Sequence, residues 1–297
     1  MNAGDIETRS SRGARIVGTF TPRTLSSPGM AKKPWTEEMW RGMLTGELRG
    51  LRRMQRVMKV FPAEPRCKLC YAPFGKPGST LMRVFGGGPS PLNRRLCTWC
   101  IRGAHKMPGG AEVEITALFA DVRGSTGLAE HVPAQEFGQL LARFYGTAAR
   151  VVDRWDGVVD KFVGDEAVAL FIPGFAGHDH ARRAVEAARD LMRETGNDGG
   201  EPWIPIGAAV HTGLSFVGYV GEGDALDFTA VGDTVNTAAR LTAAAGTGEI
   251  VISADAAAAA GLDTFTLERR TLELRGREET VDAWVQPTSA SVETTAA

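Results

Sequence analysis

No apolar run in this 297-residue sequence approaches the roughly 18–20 residues that cross a bilayer as a helix, so no segment reads as membrane-spanning. The first 29 residues are rich in Ser, Arg, Thr and Gly but lack an apolar core, which excludes a secretory signal. Asp5 and Glu7 count against a transit peptide. A disordered tail over 1–33, or a true start at Met30, is expected instead. A cytoplasmic location follows as the expectation. Cysteine is scarce, at four residues, and in a reducing compartment these are expected to hold a metal rather than to pair. Net charge is nearly absent as well, since 34 Lys/Arg against 35 Asp/Glu leave −1.

That balance conceals an asymmetry. Residues 1–110 carry 20 Lys/Arg against 6 Asp/Glu, or +14, and the remainder carries 14 against 29, or −15. Such a split suits two units with different partners. The basic part could meet anionic lipid, nucleic acid or the acidic part of its own dimer, and charge alone does not choose. Hydrophobic residues at 43% and charged residues at 23% are ordinary for a chain with a buried core.

From 34 to 61, Trp40, Leu44, Leu48, Leu51, Met54, Met58 and Phe61 recur every three or four residues, which predicts one amphipathic helix. It could pack on its own domain, pair as a coiled coil or lie on a membrane surface. Residues 62–106 contain Cys67-Lys-Leu-Cys70 and Cys97-Thr-Trp-Cys100. Two such turns facing each other make a tetrahedral four-thiolate site. Zinc fits best, and an iron–sulfur cluster also accepts four thiolates. His105 is a spare ligand. The Gly86-Gly-Gly-Pro89 stretch lacks the Lys-Ser/Thr ending of a P-loop and reads as a loop.

Residues 107–112 look like a linker, and 287–297 like a second disordered tail. Between them, over 113–286, β-rich runs alternate with amphipathic helices. Strands are expected at 113–122, 158–163, 167–172, 205–211, 215–220, 249–253, 265–274 and 280–285. Helices are expected at 133–155, 179–195 and 233–245, with a short one over 256–260. This order predicts an α+β fold, a sheet covered by helices on one face.

Asp121 ends the first strand in Phe119-Ala-Asp-Val-Arg-Gly-Ser-Thr126, and Asp165 ends Lys161-Phe-Val-Gly-Asp165. Neighbouring strand ends can bring the two carboxylates together, where they repel unless a cation lies between them. Hard oxygen ligands suit Mg²⁺ or Mn²⁺ bound together with phosphate. Gly124, Ser125 and Thr126 are expected to open a short helix whose free N–H groups are ready for phosphate oxygens. Taken alone, two such aspartates are more often turn residues than metal ligands.

Those two segments, with Gly232-Asp-Thr-Val-Asn-Thr-Ala-Ala-Arg240, occur in the order and spacing of class III adenylate and guanylate cyclases, which the chain resembles over 113–286. The resemblance implies a ferredoxin-like core and a head-to-tail homodimer with two active sites at its interface. Asp121, the Val122 backbone carbonyl and Asp165 would hold two metal ions, while Lys161 and Thr229 would read the purine. Asn236 and Arg240, one helical turn apart, would come from the opposite subunit and steady the reacting phosphate. Leu214 stands where some relatives carry a phosphate-contacting Arg. Arg277 could replace a phosphate-binding Lys of others. Adenine offers an acceptor to Lys161 where guanine offers a donor, so ATP is the expected substrate, and no nucleic-acid partner is expected. Guanylate cyclases of this family usually carry Glu at the Lys161 position.

A diguanylate cyclase is suggested by Gly164-Asp165-Glu166, but Val163 stands where a second Gly belongs. Two further readings compete with an ATP cyclase: an inactive cyclase-fold dimer module attached to a zinc ribbon, and a cyclase acting on GTP.

Overall fold

The structure, a computed structural model, describes residues 35–61, 65–84, 87–90, 96–100, 109–222, 227–273 and 280–287. Both expected tails (apart from Pro287), Gly86, His105 and Arg277 lie outside those residues.

The expected single helix over 34–61 is two helices, α1 (Glu37–Leu44) and α2 (Arg49–Lys59). Thr36 caps α1 by accepting from Met39 N at 3.3 Å. Gly46, at φ +75°, ends it in the left-handed conformation that glycine adopts without penalty. The apolar spacing continues across this glycine, which is why periodicity alone joined the two. Trp40, Leu44 and Leu51 are buried, while Met54, Val57 and Phe61 remain exposed. The first half of the stripe therefore packs on its own chain. After α3 (Gly78–Val84), the expected linker is cut short, because strand β1 already begins at Gly110.

The remaining elements are β1 (Gly110–Val122), α4 (Ser125–His131), α5 (Ala134–Arg154), β2 (Val158–Val163), β3 (Glu166–Phe171), α6 (Pro173–Ala176), α7 (His180–Thr195), β4 (Ile206–Val220), β5 (Asp227–Val231), α8 (Asp233–Ala244), β6 (Glu249–Ser253), α9 (Ala254–Ala260), β7 (Glu268–Leu272) and β8 (Val281–Pro287). Among the described residues eight strands form one sheet in the order β2-β3-β1-β4-β6-β8-β7, with β5 paired to β4. The β4–β6 pair is parallel, and β1 is antiparallel to both its neighbours.

Two strands expected at 205–211 and 215–220 are the single β4. Its ladder to β1 continues through Thr212, Gly213 and Leu214. Gly213 is there for close approach rather than for a turn, since a Cβ would stand 2.8 Å from Thr234 Oγ1 of α8. Strand β5, only five residues long, was not expected at all.

As a central strand, β1 is apolar on both faces. Leu118, Ala120 and Val122 meet Phe144 and Val151 of α5 and Ala184 and Leu191 of α7. On the other face, Ile115, Ala117 and Phe119 share a core with Trp40, Leu44, Cys67, Cys70, Cys97 and Ala238 of α8. The helices were expected on one face. Both are covered, because α8, the N-terminal helices and the cysteine turns close over the second face. Complete burial of side chains such as Leu44 contributes roughly 1.5–3 kcal/mol each to this docking.

Candidate active site

Strand register brings the first pair of carboxylates together. Asp121 lies opposite Glu166 across the β1–β3 ladder, and Asp165 occupies the turn before β3. Val122 N donates to the Asp165 carbonyl at 3.4 Å. Burial raises the Asp121 carboxyl above its usual range; the Arg123 charge counters this and the adjacent Asp165 adds to it. Glu166 is pushed up to about 7, first by burial and then by Asp121 and Asp165. Three acids thus crowd one strand end. A divalent cation suits such a cluster, because it relieves the repulsion that holds protons on.

The same cluster contains Arg123, which sequence reasoning passed over. Its Nη2 lies 3.3 Å from Asp121 Oδ2 and donates to the Thr242 carbonyl of α8 at 2.8 Å. No spacing rule announces this contact, since it joins a strand end to a helix more than a hundred residues later.

A second constellation forms around β2 and β5. Lys161 Nζ donates to Thr229 Oγ1 at 3.2 Å, so two residues 68 apart in sequence are side by side. Asp160 joins them, with Oδ2 3.2 Å from Lys161 Nζ and accepting from Thr229 Oγ1 at 3.0 Å. Strict strand alternation would send Asp160 and Lys161 to opposite faces. The register shift between Val159 and Lys161 is a β-bulge at Asp160, and it lets both side chains reach Thr229.

Asn236 and Arg240 share one face of α8. Thr234, Thr237, Ala238, Leu241 and Thr242 form the buried stripe of that helix. Asn236 is exposed and Arg240 half-buried, and neither side chain has a hydrogen-bond or ion-pair partner among the described residues. Gly124 and Thr126 are exposed and Ser125 half-buried at the start of α4, directly after the Asp121 strand. Leu214 is exposed on β4.

The four cysteines converge. Their sulfur atoms all lie within 4.8 Å of one another, with Cys67–Cys100 at 3.9 Å and Cys70–Cys97 at 3.6 Å. A tetrahedral zinc with Zn–S of about 2.3 Å needs S···S edges of about 3.8 Å. Backbone N–H groups of Cys97 and Cys100 donate to Cys67 Sγ at 3.2 Å and Cys97 Sγ at 3.4 Å, the pattern expected of thiolate acceptors. Hydrogen bonding to Cys100 lowers the Cys97 thiol, and contact with Cys67 raises that of Cys100. Lys68, inside the first turn, forms an ion pair with Asp156 and donates to the Asp153 carbonyl at 3.2 Å. These contacts fasten the first cysteine turn to the end of α5 and the loop that follows it.

No described helix is long and apolar enough to cross a membrane. Adenylate cyclase 1 of Rhizobium meliloti (strain 1021) is 32% identical over 134 residues, covering 43% of this chain and 20% of that protein. The chain spans 20–32% of the length of the curated relatives it matches. Among solved structures, the guanylyl cyclase Cya2 is 29% identical, with a TM-score of 0.53 over 62% of this chain and 98% of that one. The adenylyl cyclase CyaB from P. aeruginosa is 26% identical, with a TM-score of 0.50 over 59% and 93%. Residues 110–287, well over half of the chain, match the model of the adenylate and guanylate cyclase catalytic domain, and the protein belongs to that family.

Proposed function

We propose that the protein is an adenylate cyclase, which converts ATP to 3′,5′-cyclic AMP and pyrophosphate at two sites shared between the chains of a homodimer. The observation that carries the choice of ATP is the 3.2 Å contact of Lys161 Nζ with Thr229 Oγ1. A lysine donor beside a hydroxyl matches the ring nitrogen and exocyclic amine of adenine, whereas guanine presents a donor and a carbonyl along the same edge.

Asp121 and Asp165, with the Val122 carbonyl, would hold two Mg²⁺ or Mn²⁺ ions. Bound there, such ions lower the pKa of an attacking hydroxyl and neutralise a leaving pyrophosphate. The chain's own residues do the rest. Backbone N–H groups at Gly124, Ser125 and Thr126 would take phosphate oxygens next to the Asp pair. Arg240 would place a fixed planar cation where charge accumulates on the α-phosphate, and Asn236 would orient the ribose for in-line attack by its 3′-hydroxyl. Both project from the face of α8 away from its own buried stripe, which supports their serving the partner's Asp pair. The exposed Phe162, Val163, Leu214 and Val231 add apolar surface for that association. The cysteine centre is read as zinc, on its sulfur spacing.

Incubation of the purified chain with ATP or GTP and Mn²⁺, followed by identification of the product, tests this. Cyclic AMP in clear excess supports the reading. Predominant cyclic GMP overturns the choice of base. A folded dimer that makes neither product favours the inactive module.

A further inference from the structure

We propose that Asp160 sets the base preference of the site by locking the Thr229 hydroxyl as a hydrogen-bond acceptor. This rests on the reading that Lys161 and Thr229 select ATP, and it assigns a positioning role to a residue outside that pair.

A threonine hydroxyl is by itself a poor discriminator. It rotates, and it can donate to the guanine carbonyl as readily as it accepts from the adenine amine. The surroundings of Thr229 remove that freedom. Its hydroxyl has two acceptors within reach, Asp160 Oδ2 at 3.0 Å and the Ala230 carbonyl at 3.4 Å. The carboxylate is both nearer and charged, so the proton turns toward Asp160. Lys161 Nζ donates to the same oxygen at 3.2 Å and occupies one lone pair. The lone pair that remains can only accept. Toward an incoming base, Thr229 then acts as an aspartate would, without presenting a charge.

Asp160 holds the lysine as well. Lys161 spends donors on Asp160 and Thr229, both at 3.2 Å, which leaves the rest of its ammonium for the ring nitrogen of adenine. Adenine is accepted at both positions. Guanine meets a donor facing a donor and an acceptor facing an acceptor. The Asp160 side chain is only 2% exposed, and its Oδ1 is buried with no hydrogen-bond partner. A carboxylate left half-satisfied in the interior is costly, and a chain needing only a core filler at this bulge would carry an apolar residue. Burial raises the Asp160 carboxyl, and the Thr229 hydrogen bond and Lys161 charge counter it.

Turnover of ATP and of GTP, each with Mn²⁺, is measured for wild type, Asp160→Ala, Asp160→Asn and Asp160→Ala/Thr229→Asp, after circular dichroism has established folding. In Asp160→Ala the kcat/KM for ATP should fall about tenfold, mainly through KM, and the ATP:GTP ratio should narrow by a similar factor. Asp160→Asn keeps an amide oxygen that can take the Thr229 proton, so its ratio should stay within about threefold of wild type. The double variant places an obligate acceptor at position 229 and should regain most of the lost ratio. If Asp160→Ala does not fold, Asp160→Leu, closer in shape, takes its place with the same expectations. An alanine-variant ratio within about twofold of wild type overturns the proposal, as does a double variant no better than the single one. A wild type that prefers GTP sinks the ATP reading and this proposal with it. A wild type that prefers ATP but is insensitive to Asp160 sinks the proposal alone.

Discussion

The Arg123 guanidinium donates from Nη2 to the carbonyl of Thr242 at 2.8 Å, which ties the strand end bearing Asp121 to the last turn of α8. One residue thereby links the acid cluster to the helix that carries Asn236 and Arg240. The side chain is 18% exposed, so the loss of its contacts is not made good by water. Replacement of Arg123 by Ala should cost about 1–3 kcal/mol. For a domain of this size that is a fall in Tm of roughly 2–4 °C per kcal/mol. Turnover should drop with it, since the strand end and α8 are no longer fixed together. A variant with unchanged Tm and unchanged turnover would show that the link is incidental.

The cysteine centre should bind about one metal ion per chain, most simply zinc, detectable by elemental analysis. Cys67→Ser and Cys97→Ser should each lose it. Both cysteines are buried in the core that joins the N-terminal helices to β1, so metal loss should also lower Tm. A brown protein would retain the site but identify an iron–sulfur cluster. A folded, metal-free protein with four reactive thiols would end the idea.

Stability should fall with acidity through His180. Its Nδ1 lies 2.9 Å from Thr116 Oγ1 in the interior. Burial lowers its pKa from the ordinary 6.5, opposed by Glu114 and Asp179 and reinforced by His178. Between the folded value and 6.5 the unfolded chain binds more protons, so stability there rises with pH. The contribution is complete above about pH 6.5 and is lost as pH falls toward the folded value. Tm measured from pH 7.5 down to pH 5 for wild type and His180→Leu should give a difference that shrinks on acidification. A difference independent of pH would mean that His180 does not titrate in this range.

Much of the catalytic core was legible because its signals are local. The long helix before β2, the β2–β3 hairpin and the Asn236/Arg240 helix all follow from periodicity and turn residues within single segments. What escaped was set by contacts between distant segments. Gly46 and Gly213 look alike in sequence, yet one ends a helix through its positive φ and the other lies within a strand, where Thr234 leaves no room for a Cβ. Asp160 was unreadable for a related reason: a bulge reverses the face that alternation assigns to it. Docking of the cysteine turns depends on Lys68 meeting Asp156, a pairing of common residue types that no local pattern marks.

Each active site should be shared between two chains. Asp121 and Asp165 cluster at one strand end, while Asn236 and Arg240 face outward from α8 without partners among the described residues. A two-fold axis that brings one chain's Asp pair to the other's α8 creates two equivalent sites from one sequence. Asp121→Ala and Arg240→Ala should therefore each be inactive alone, because every site in either homodimer lacks one component. Mixing the two variants changes this. A mixed dimer has one site carrying both defects and one carrying neither, so its second site is whole. Random exchange makes about half of all dimers mixed, each with one working site of two, and roughly a quarter of wild-type activity should return. Subunit exchange is followed separately, with differently tagged chains recovered together. Exchange without recovery of activity would show that the Asp pair and Arg240 do not act across the interface, whereas recovery that tracks the mixed fraction would place them in one shared site.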